Sequence, residues 1–230
     1  MRYVRQILGG TAVCALLVAC GAPSGDQGDP QAADALRTAQ RTVTDAGSAR
    51  IEATTDTGSS LSSRSTGALG WSDGVEGTLT VRITGGELAA STRKLGGDPS
   101  QTRFLPDAYY TRMTTAFAAL QGGRHWVRHP YDAHSDLTPA DSLKALAGAH
   151  DVRRMGEETV RGTRTTHYQG SSGAQRIDVW IDARHLLVRR TQRAGDFTGT
   201  VHYSDYGTPA AARRPPARDV VDFADVAASG

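Results

Sequence analysis

The chain has 230 residues, enough for one domain with a real core, and only 6% of them are aromatic. Its 26 Lys and Arg against 24 Asp and Glu give a formal charge of +2. That balance argues against nucleic acid as a partner, which needs a concentrated basic surface. The two cysteines, Cys14 and Cys20, both lie near the start, so the rest of the chain holds neither a disulfide nor a thiolate metal site. Lys94 and Lys144 are the only lysines, and the arginine bias suggests a GC-rich bacterial genome.

Residues 1–19 read as a secretory signal peptide of the lipoprotein type. Arg2 and Arg5 charge its start, a short apolar run follows, and Leu17-Val18-Ala19-Cys20 closes it. Small Ala19 suits the cleavage point before Cys20, whose thiolate takes a diacylglyceryl group. Cleavage frees the Cys20 amine for N-acylation, and two or more acyl chains make the anchor stable. A spanning helix would need about 20 apolar residues, and this run is shorter and contains Gly9 and Gly10. The expected location is the outer face of the cytoplasmic membrane, lipid-anchored. Removal of Arg2 and Arg5 leaves the mature chain with 24 basic and 24 acidic residues.

Residues 20–30 are rich in Gly, Pro and Asp and read as a flexible tether. Residues 31–223 form the expected single domain, and residues 224–230 a disordered tail. The first helix is marked by Asp29 as cap, Pro30 in the first turn and Gly47 at the left-handed C-terminal position. Ala32, Leu36, Ala39, Val43 and Ala46 make its apolar stripe. After it the pattern alternates. In residues 78–84 Leu79, Val81 and Ile83 face one side, and Gly85-Gly86 predicts a hairpin into a strand over 87–94. Residues 108–113 and 125–129 are further strands, and 114–121 a short helix. Thr138, Pro139 and Asp141 open another helix with a capping-box pattern, whose apolar face is Leu143, Leu146 and Ala147. Five strands follow over 152–160, 163–169, 175–182, 186–193 and 197–206, joined by short turns as an antiparallel meander. In the third, Ile177, Val179 and Ile181 oppose Asp178, Trp180 and Asp182. Pro209 ends the meander, and Pro215-Pro216 forces an extended segment toward Val220, Val221 and Phe223.

Several motifs suggest chemistry and lack its context. Gly70-Trp71-Ser72-Asp73-Gly74 matches the hydrolase nucleophile elbow, but a strand follows where the elbow needs a helix, so a turn is the better reading. Ser91 and Lys94 match S-x-x-K, yet on a strand they would point to opposite faces. His125 and His129 with His134, and Asp132 or Asp136, could hold zinc; a polar rim beside Trp126 is the blander reading. Trp71, Trp126 and Trp180 suit packing as well as a ligand. Arg103, Arg112, Arg124 and Arg128 could meet lipid headgroups, but a solvated face balanced by Asp107 and Asp132 fits better.

The lipobox and first helix are followed by residues 67–74 leading into 79–83, then 109–113, 123–127, 162–168, 178–182, 203–207 and Pro215-Pro216. In that order they resemble the LolA-like and LprG-type (LppX/LprAFG-like) families of bacterial lipoproteins and lipid carriers. The resemblance implies an α+β fold: one large curved antiparallel sheet, a half-barrel, with helices on its concave face. It also implies a non-enzymatic protein that binds an acyl chain or lipid between sheet and helices. The apolar positions placed at that groove are Leu79, Val81, Ile83, Tyr110, Phe117, Leu143, Leu146, Ile177, Val179 and Ile181. No catalytic residue, metal or cofactor comes with the resemblance. The partners it leaves are the membrane and a lipid ligand. A second reading keeps the fold without a cavity, as a protein-binding or envelope-sensing module. A third, an esterase at Ser72, needs the elbow that the pattern lacks.

Overall fold

The computed structural model describes residues 28–131 and 138–228. The signal peptide, Cys20, most of the tether, and the candidate ligands Asp132, His134 and Asp136 lie outside the described residues. Helix α1 (Pro30–Ala46) starts where Asp29 accepts from the Gln31 backbone N–H and ends at Gly47, with φ 70°. Strands β1 (Ser48–Thr57), β2 (Ser62–Gly70) and β3 (Glu76–Gly85) lead to α2 (Ala89–Gly96), β4 (Ser100–Leu105), β5 (Ala108–Arg112), α3 (Thr115–Leu120) and β6 (Trp126–Pro130). Helix α4 (Pro139–Ala147) carries the full capping box between Thr138 and Asp141. The meander is β7 (Arg153–Val160), β8 (Thr163–Ser172), β9 (Gln175–Asp182), β10 (Leu187–Ala194) and β11 (Phe197–Ser204); β12 (Val220–Asp222) and α5 (Phe223–Ala228) close the chain.

All twelve strands share one sheet, in the order β12-β6-β5-β4-β3-β2-β1-β11-β10-β9-β8-β7. Every neighbouring pair is antiparallel except β12 with β6. The fold is α+β, a curved open sheet with helices gathered on one face. Alternation sorts side chains between that helical face and an outer face. Leu79 opposes Gly67, Gly67 opposes Ile51, and Ile51 opposes Tyr203, so these share the helical face. Helices α1 and α4 pack together there. Leu36, Val43, Leu143 and Leu146 close over Ile177, Val179, Ile181 and Leu187. A smaller cluster sets Phe117 of α3 against Val127 and Val221, with Leu95 and Val226 beside them.

The outer face is divided in two. Residues 207–219 cross it as a strap from β11 to β12. The Ala212 N–H donates to Glu76, Arg103 donates to the Arg213 carbonyl, and Arg214 pairs with Asp107. Beneath the strap Leu105, Ala108, Tyr110 and Trp126 form a second core with Ala212 and Val220. The other half, over β1 and β7–β11, carries no such covering chain among the described residues.

Three expectations are corrected. The strand over 87–94 is α2. After Gly86 the Glu87 and Leu88 amides bond to the Ser59 and Ser60 carbonyls of the β1–β2 turn, and Ala89, Ala90, Arg93, Lys94 and Leu95 are helix formers without period-2 alternation. Residues 224–228 belong to helix α5 rather than to a disordered tail, docked through Val226. Tyr110 opposes Arg103 and Arg128 on the outer face, because it lies one residue out of step with Thr111, the partner of Val127. It therefore packs under the strap, away from the other nine groove positions.

Candidate functional site

Six of the groove positions, Leu79, Leu143, Leu146, Ile177, Val179 and Ile181, are buried in the main core. Ile83 is buried as well, Val81 is half-buried, and Phe117 belongs to the α3 cluster. The side chains expected to line an empty groove therefore mostly pack against α1 and α4.

Register places a different floor beside them. Val81 opposes Ser65, Ser65 opposes Ala53, and Ala53 opposes Val201. In the next row Ser63 opposes Thr55, and Thr55 opposes Gly199. All seven are half-buried. Together they make a trough of small residues on the helical face. Helix α4 bounds it through Ser142, to which Arg190 donates a short hydrogen bond, and α2 bounds it beyond β3. Phe197 lies against the Cα of Gly199; a β-carbon there would meet its ring at 3.0 Å. Sequence reasoning named only Val81 of this floor because it searched for large apolar residues. The usable signal was the run of Ser, Thr, Ala and Gly at alternate positions of adjacent strands.

Elsewhere on the helical face, an aromatic row crosses β4, β5 and β6. Phe104 stacks on Tyr109 at 5.8 Å, Tyr109 on His129 at 4.6 Å, and Phe223 reaches His129 at 5.0 Å. Burial holds the His129 imidazole below its ordinary pKa and pushes the Tyr131 phenol up to about 12. His129 is thus an apolar-face stacking residue. His125 instead turns to Asp219, at 3.1 Å from Nδ1. Among the described residues no group of three metal-ligating side chains forms.

The remaining candidates resolve into structure. Arg103 lies 4.4 Å over Trp126, Arg128 pairs with Asp222, and Trp71 donates to the Val43 carbonyl at the end of α1. Ser72 sits in the exposed β2–β3 turn, with β3 rather than a helix after it. Ser91 and Lys94 now share a helix, but the Ser91 hydroxyl donates to the Leu88 carbonyl. Trp180 is sandwiched between His167, at 4.2 Å, and the Arg189 guanidinium, at 3.4 Å, while its indole N–H donates to Glu158. His167 reaches Asp178 at 2.8 Å and Glu158 at 3.0 Å.

No known family model matches the chain. The architecture above is that of a single-sheet α+β domain. The chain is 47% identical over 219 residues to the Streptomyces coelicolor protein named "Putative lipoprotein SCO4650", spanning 86% of this chain and 77% of that one. It is 35% identical over 245 residues to an uncharacterized 31.2 kDa protein of the rplA–rplJ intergenic region of Streptomyces griseus, spanning 85% and 80%. Among solved structures, LppX of Mycobacterium tuberculosis, one of the LprG-type lipoproteins, is similar with a TM-score of 0.47 and 16% identity over 77% of this chain and 97% of that one. The chain belongs to the family of SCO4650.

Proposed function

We propose that the protein is an extracytoplasmic lipoprotein, held to the outer face of the cytoplasmic membrane through lipidated Cys20, that binds an acyl chain or lipid between sheet and helices without catalysis. The trough over Ala53, Ser65, Val81 and Val201 carries the reading. This row of half-buried, mostly small side chains beside a packed core is where we place a chain lying along the strands. Each methylene moved there from water contributes about 0.8 kcal/mol. The lipobox and the name of the Streptomyces coelicolor relative support the anchor.

The test uses the full chain with Cys20→Ser, so that any extracted lipid is non-covalent. Organic extraction and mass spectrometry should recover acyl lipid in about one copy per protein. Filling the trough with Ser65→Trp should remove most of it while the circular dichroism spectrum is kept. Lipid-free protein, or equal lipid in both variants, would overturn the proposal. In cells, the Cys20→Ser chain should lose both palmitate labelling and the membrane fraction.

A further inference from the structure

The uncovered half of the outer face holds a cavity of about 640 Å³ over β8, β9, β10 and β11. Its floor is polar throughout except for Trp180, whose two ring faces are already covered by His167 and Arg189. Around it stand three guanidinium groups, Arg176, Arg189 and Arg193, and the imidazole of His202. Two carboxylates answer them: Glu158, at the rim, lies 3.5 Å from Arg189 and takes the Trp180 indole N–H, and Asp178 lies among the cations. Asp178, 3% exposed, is already engaged by His167, by Gln169 at 2.6 Å and by Arg193 at 2.9 Å. Three guanidinium groups against two carboxylates leave a surplus of one positive charge, held in place by these pairings. Arg189 adds a buried Nε that has no protein acceptor. Threonines Thr191 and Thr200, 3.1 Å apart, supply hydroxyl groups at the base.

We infer that this cavity binds a small phosphate ester with a polar, hydroxyl-bearing body, of the size of a sugar phosphate. Guanidinium groups recognise phosphate by bidentate, charge-assisted hydrogen bonds, and the cavity is far larger than a bare phosphate needs. Gln169, Thr191 and Thr200 suit the hydroxyls of the body. An apolar ligand would find only the edge of Trp180. The surround of His202 has the matching sign: burial first, then Arg161 and Arg189, hold its imidazole below the ordinary pKa. The site faces away from the trough, so it is independent of the lipid-binding proposal.

The test is a titration of the full chain with glucose 6-phosphate, inorganic phosphate and glucose, followed by calorimetry and by the His202 ring signals in NMR. Saturable binding of glucose 6-phosphate, about ten-fold tighter than inorganic phosphate and absent for glucose, is the expected result. Arg176→Gln with Arg193→Gln should weaken it by about ten-fold or more, at unchanged lipid content and an unchanged circular dichroism spectrum. His202→Gln, at a partly exposed position, gives a second variant should the double change disturb the sheet. No saturable binding, equal affinity in all variants, or binding only to phosphatidylglycerol vesicles and not to the soluble ester would overturn the inference.

Discussion

Glu52 shows how one side chain on the outer face carries a pH dependence. Hydrogen bonds first from Arg161 and then from Arg64 hold its carboxyl at about 2, against 4.5 for an unperturbed glutamate. The folded state therefore binds the proton less readily than the unfolded chain. This contribution is complete above pH 4.5 and is lost as the pH falls toward 2. Glu52→Gln should lower the melting temperature at pH 7 and leave it close to the parent value near pH 2. A difference of the same size at both pH values would refute the assignment. Residues of this kind are invisible in the sequence, because Arg64 and Arg161 lie 12 and 109 positions away from Glu52. What was readable at this scale was local: Asp29, Thr138 and Asp141 cap their helices because a capping bond spans only two or three residues.

Elements were legible where their own residues decide them and illegible where a neighbour does. The meander β7–β11 follows from clean alternation and short turns. Strand β4 passed unnoticed because Ser100–Leu105 alternates poorly, and its place comes from pairing with β3 and β5. Helix α2 was misread because Gly85-Gly86 resembles a hairpin turn, whereas the amides beyond it are taken by the β1–β2 turn. The β2–β3 ladder has a requirement of its own. A β-carbon on Gly67 would stand 2.1 Å from the Thr78 carbonyl oxygen and 2.9 Å from Leu79. Backbone cannot swing away as a side chain can, so Gly67→Ala should destabilise by about 1–3 kcal/mol. Urea unfolding is the check, and an unchanged midpoint would show that the two strands separate more easily than their pairing implies. The candidate site was only half legible for the same reason: the apolar positions expected along a groove mostly pack in the core, and the trough emerges only once β3, β2, β1 and β11 are set side by side.

On the scale of the whole molecule, the strap does the work of a fourth wall. It keeps Leu105, Tyr110 and Trp126 dry on a face that is otherwise polar. Truncation after Tyr206 should therefore expose Trp126, shift tryptophan emission to the red and lower the melting temperature by several degrees; an unshifted spectrum would mean that the strap merely rests on the sheet. The chain also enters and leaves the sheet at opposite margins. The Asp29 amide is pinned to the Val152 carbonyl beside β7, and Val220–Asp222 lies along β6 at the far side. At the usual interstrand spacing those margins are about 50 Å apart along the sheet. The eight residue-to-residue steps from Cys20 to Gly28 reach at most about 30 Å. Under the proposed anchor at Cys20, the β7 margin would be kept close to the lipid headgroups and the β12 margin could point outward, where it would be the first part met by anything arriving from the cell wall.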